Sequence, residues 1–88
     1  MVLEGVLEPL ARSVTQSVDI PVIGIGASAD CDGQVLVIDD MLGMFERVPR
    51  FVKRYHEVAK EISDSASRYA ADVRARAFPT PDQTYQPK

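Results

Sequence analysis

Eighty-eight residues allow one small domain with a modest core, and 45% hydrophobic with 26% charged residues is a globular balance that argues against disorder. A net charge of −3 gives no general attraction to phosphate backbones or anionic lipid, so neither nucleic acid nor membrane is expected as a partner. The single cysteine, Cys31, cannot close an internal disulfide, the longest apolar run (20–27) falls far short of the roughly 20 residues that cross a bilayer, and no basic-then-apolar leader opens the chain, so a reducing cytoplasm is the expected location.

Met1-Val2-Leu3-Glu4-Gly5-Val6 is a short apolar segment interrupted by one acid and one glycine. It reads as the last residues of a strand, cut at its front, running into a loop. From Leu7 to Val18 the pattern changes: Pro9 stands near a helix start, where its missing N–H costs nothing, and Leu10, Val14 and Val18 recur every four residues. That spacing predicts an amphipathic helix. Asp19 to Gly26 is continuously apolar rather than alternating, which predicts a strand buried on both faces, as in a parallel sheet covered by helices. After a loop rich in Ala, Ser, Asp and Gly, residues Gln34 to Ile38 predict a second such strand, with Asp39 and Asp40 capping a short helical turn through Met44.

Pro49 and the cations Arg47, Arg50, Lys53 and Arg54 mark a connection to a long helix, expected from about Tyr55 to Arg76. Val58, Ile62, Ala66, Tyr69 and Val73 form its apolar stripe, and the pairs Asp64–Arg68 and Asp72–Arg76 have the i,i+4 spacing of an exposed face. The tail from Phe78 onward carries three prolines and no period, and is read as irregular. Consecutive strands buried on both faces cannot be satisfied by two helices, because their edges would leave backbone donors and acceptors unpaired. Strand-helix-strand units of this kind build parallel barrels and doubly wound sheets, so neighbouring strands are expected from outside these residues.

Four blocks stand in one order: Val2-Leu3-Glu4-Gly5-Val6, then Ile20 to Ala27, then Asp32 to Val37, then Asp40-Met41-Leu42-Gly43. Together with Pro49 to Tyr55 and the final helix, they resemble the carboxy-terminal part of ketopantoate hydroxymethyltransferases. The resemblance implies the end of a (β/α)₈ (TIM-type) barrel, with 1–54 as a partial barrel segment, 55–77 as a carboxy-terminal helix and 78–88 as an irregular tail. It implies transfer of a hydroxymethyl group from 5,10-methylenetetrahydrofolate to 3-methyl-2-oxobutanoate, giving 2-dehydropantoate, with Mg²⁺ polarising the keto acid. It assigns the proton acceptor to the glutamate of the Leu-Glu motif, here Glu4, and an acid at a strand's carboxyl end is where barrels carry catalysis. The family's metal-binding acids and its keto-acid lysine belong to earlier strands, so no metal role is given to Asp30, Asp32, Asp39 or Asp40, and the isolated chain is expected not to turn over. Family enzymes are rings of subunits, which implies a homo-oligomer. Two departures are Ser28, where glycine is usual, and the tail around Pro81-Asp82-Gln83.

Other patterns point less far. Gly24-Ile25-Gly26-Ala27-Ser28 lacks the third glycine and the following helix of a dinucleotide fingerprint. The stretch from Ser28 to Asp39 echoes a calcium loop but ends in the short Asp39 rather than a bidentate glutamate. Residues 45–55 mix cations with aromatics, and in an acidic chain they read as a solvated loop with buried aromatics. Cys31, flanked by Asp30 and Asp32, lacks the electropositive setting of a reactive thiol. The alternative to an enzyme-derived chain is a non-catalytic module that self-associates through its barrel segment and long helix.

Overall fold

The computed structural model describes residues 1–88, which divide into two compact units, Met1–His56 and Glu57–Lys88. The first holds β1 (Val2–Glu4), α1 (Glu8–Ser17), β2 (Ile23–Ile25), β3 (Gly33–Gln34) and α2 (Ile38–Met41). The second holds α3 (Val58–Arg74) and one 3₁₀ turn, Pro81–Gln83. The strands form one parallel sheet in the order β1-β2-β3, with Val2 opposite Ile23, Glu4 opposite Ile25 and Gly24 opposite Gln34. Parallel neighbours need a crossover between them, and α1 is the crossover from β1 to β2.

In α1, Glu8 and Pro9 open the first turn, where an acid meets the helix dipole favourably and a proline loses no bond. Ala11 is fully buried and packs with Val22 and Cys31, and Leu3, Val6, Val18 and Ala27 close around them. The buried stripe therefore runs through Ala11, one position round from the expected Leu10, which is exposed. A small side chain at 11 lets the helix sit close to the sheet.

The expected strands shorten. Residues 19–22 are not strand, because Pro21 has no N–H to donate and Asp32 takes the Val22 N–H through its side chain at 2.7 Å. β3 ends at Gln34: the Val35 N–H still reaches the Gly24 carbonyl at 3.0 Å, but β2 ends at Ile25, and Ile38, expected in a strand, already begins α2. Burial on both faces is also not realised, since Ile20, Val35, Val37 and Ile38 are each at least half exposed.

α3 starts later than expected because the Tyr55 N–H is bonded to the Met41 carbonyl at 2.8 Å. It ends earlier because Arg76 adopts the left-handed region at φ 54. The Ala77 N–H then reaches the Asp72 carbonyl at 2.8 Å and the Arg76 N–H the Val73 carbonyl at 3.1 Å, the paired bonds that close a helix with a left-handed residue. Arg76 is thus off the helix and the Asp72–Arg76 pair does not form; Asp64–Arg68 does not close either. Tyr69 meets the Phe78 ring edge-on, with centroids 5.5 Å apart. In the tail, the Gln83 side-chain oxygen accepts from the Thr80 N–H at 2.9 Å and the Thr80 hydroxyl at 2.7 Å. No helix is long and apolar enough to cross a membrane.

Candidate functional site

Side chains alternate along a strand, so Leu3 faces α1 while Val2 and Glu4 point to the other face. Register carries that face across the sheet: Val2 lies beside Ile23, and Glu4 beside Ile25. Glu4 is therefore an exposed acid at the carboxyl end of β1, on an aliphatic surface of Val2, Ile23 and Ile25. Its carboxylate takes part in neither the Glu8–Arg12 nor the Arg12–Asp30 ion pair. Gly5 follows at φ 62, a conformation that L side chains rarely adopt, and its N–H donates to the Ile25 carbonyl at 2.9 Å. The turn after Glu4 is thereby tied to the neighbouring strand.

Beyond the carboxyl ends of β2 and β3 lies an open hollow of about 340 Å³, bordered by Gly26, Gln34, Leu36, Met41, Phe51 and Lys53 among others. Gly26, at φ 61, is needed there, because a Cβ on it would fall 2.3 Å from Phe51. Within 45–55, Arg54 and Lys53 are engaged with their own loop. Arg54 donates to the Phe45 and Glu46 carbonyls at 3.0 and 2.7 Å, and the Lys53 ammonium lies 4.9 Å from the Tyr55 ring centre. The aromatics expected inside are not buried: Phe51 is half-buried, and Phe45 and Tyr55 are exposed.

Sequence reasoning missed a polar cluster on the helix-covered side. Ser28, a residue 5% exposed, donates its hydroxyl to the Glu8 carboxylate, which Arg12 also contacts. The Ser28 oxygen in turn accepts the Asp30 N–H at 3.1 Å, and the Gln34 amide donates to the Ser28 carbonyl at 2.7 Å. The Ser28 hydrogen bond, more than Arg12, holds the Glu8 carboxyl below its ordinary value of 4.5, against an opposing effect of desolvation. The i,i+4 spacing of Glu8 and Arg12 was a visible signal; the Ser28 partnership, made through the fold, was not.

The loop acids have other occupations. Asp32 caps the Val22 N–H, Asp30 lies 3.6 Å from the Arg12 guanidinium, and Asp39 and Asp40 sit in the first turn of α2. No three His, Cys, Asp or Glu side chains gather where an ion could be held, so these residues do not fit Mg²⁺. Cys31 is buried, with the Thr15 hydroxyl 3.6 Å from its sulfur. Past Gly24-Ile25-Gly26 the chain enters a loop and β3 rather than a helix, unlike a dinucleotide site.

Comparison with known proteins gives a family. A family profile described as ketopantoate hydroxymethyltransferase matches residues 1–81. Proteins named 3-methyl-2-oxobutanoate hydroxymethyltransferase from Novosphingobium aromaticivorans and Erythrobacter litoralis are 67% and 65% identical over all 88 residues. One from Caulobacter vibrioides is 60% identical over the same span. The chain spans 30%, 30% and 32% of the length of these three relatives.

Proposed function

The chain belongs to the ketopantoate hydroxymethyltransferase family, and on that premise we propose that it supplies the proton acceptor, Glu4, for hydroxymethyl transfer to 3-methyl-2-oxobutanoate. In the overall reaction the keto acid, 5,10-methylenetetrahydrofolate and water give 2-dehydropantoate and tetrahydrofolate. This chain's step is the first: the Glu4 carboxylate takes the C3 proton, leaving the electron pair in an enolate whose C3 then bonds to the one-carbon unit. Mg²⁺ would supply Lewis-acid polarisation of the substrate carbonyl, and its ligands would come from residues other than these, which gather no set that could hold it. We propose the same assignment for the architecture, with 1–54 as a partial barrel segment, a carboxy-terminal amphipathic helix bounded at Val58–Arg74 and 78–88 as a tail, in a cytoplasmic homo-oligomer.

The observation that carries this reading is the position of Glu4, a charge on the aliphatic face of a parallel sheet at the strands' carboxyl ends. Barrel enzymes gather their reacting groups at that end. The test is transplantation. With these 88 residues in place of the matching segment of the Novosphingobium relative, the chimaera should form 2-dehydropantoate from keto acid, folate donor and Mg²⁺. Glu4→Gln should lower that rate by at least about 100-fold. An inactive chimaera, or a Glu4→Gln form as fast as its parent, overturns the assignment.

A second reading, a self-associating module without catalysis, is favoured by one observation. On α3, Ile62, Tyr69 and Val73 are 56%, 59% and 45% exposed along one stripe.

A further inference from the structure

We infer that Ser28 and Glu8, braced by Arg12, form a clasp that positions Glu4. This inference rests on Glu4 being the proton acceptor. Glu4 is followed by a short connection to α1, and that connection is held at two points. The first is the backbone bond from Gly5 to the Ile25 carbonyl at 2.9 Å. The second is the Glu8 carboxylate, at the start of α1, which accepts the Ser28 hydroxyl.

Ser28 is itself anchored. It lies beyond the end of β2, is nearly buried, and takes the Asp30 N–H on its oxygen and the Gln34 amide on its carbonyl. Arg12, one helical turn after Glu8, pairs with that carboxylate and lies 3.6 Å from Asp30, so it spans from α1 to the same loop. The clasp therefore links the turn after β1, the loop after β2 and a residue of β3. Without it, the Gly5 bond and the packing of Val6 against the core would be left to hold the connection, and Gly5 has no side chain to resist rotation. Displacement of a reacting group by about 1 Å can cost on the order of 100-fold in rate without weakening substrate binding.

The experiment follows C3 proton exchange of 3-methyl-2-oxobutanoate in D₂O, catalysed by the same chimaera. Ser28→Ala and Glu8→Ala should each lower the kcat of exchange by about 10- to 100-fold with KM changed less than twofold. The double variant should be no slower than the slower single one, because the two act as a unit. Ser28→Thr and Glu8→Gln, which keep a hydroxyl donor and a carbonyl acceptor, should recover most of the rate. Ser17→Ala, whose exposed hydroxyl serves only its own helix at the Val14 carbonyl, should not change it.

Losses that multiply in the double variant, no recovery by the conservative pair, or a kcat within twofold in both alanine variants overturns the clasp. Failure of the underlying assignment is seen separately, as exchange that survives Glu4→Gln.

Discussion

Ser28 donates its hydroxyl proton to the carboxylate of Glu8, twenty positions earlier in the chain. Because this bond favours the charged form, it lowers the Glu8 pKa from 4.5, with Arg12 adding to the effect and desolvation opposing it. A lowered folded-state pKa contributes stability that is fully present above the unfolded value and is lost as pH falls through the folded one. Urea midpoints measured between pH 7 and pH 3 should therefore fall more steeply in the wild type than in Glu8→Gln. Parallel curves would contradict this origin for the shift.

Gly26 and Gly5 both sit in the left-handed region, but only Gly26 has a neighbour in the way. Gly5→Ala should cost roughly 1–2 kcal/mol from backbone strain alone. Gly26→Ala adds the collision with Phe51, and should cost about 3 kcal/mol or more. Urea unfolding of the two variants checks the order; equal losses would mean that Phe51 moves aside freely.

Asp32 serves the backbone. Its side chain accepts the N–H of Val22, a residue with 0% exposure. Asp32→Ala leaves that donor unpaired and should cost about 1–3 kcal/mol, whereas Asp32→Asn retains an acceptor oxygen and should recover most of it. The same denaturation experiment separates them.

Self-association through α3 predicts a solution mass above that of one chain, lowered by Ile62→Glu with Val73→Glu while helical content is kept. Analytical ultracentrifugation reads this directly. A monomeric wild-type chain, or a double variant with unchanged mass, counts against the stripe.

The order of the elements was legible because apolar runs and their spacing mark strands and helices, but the core was not, since Leu10, Ile20, Val35, Val37 and Ile38 are exposed. The strand-helix-strand order followed from Val2 to Val6, Leu10 to Val18 and Ile20 to Ala27. Boundaries were less legible, because partners set them: Asp32 takes the Val22 N–H, and Tyr55 bonds to Met41 before α3 starts. The end of α3 carried no signal, since an arginine at 76 takes the left-handed position that glycine usually marks. The place of Glu4 at a strand's carboxyl end was legible from the short apolar segment that precedes it. The Ser28–Glu8 bond was not, because only the folded loop brings them together.

Proton exchange without the folate donor isolates the step assigned to Glu4. In D₂O with Mg²⁺, the chimaera should exchange the C3 proton of 3-methyl-2-oxobutanoate, and Glu4→Gln should slow this by at least about 100-fold while still binding the keto acid. Exchange by Glu4→Gln within twofold of the parent would contradict the account.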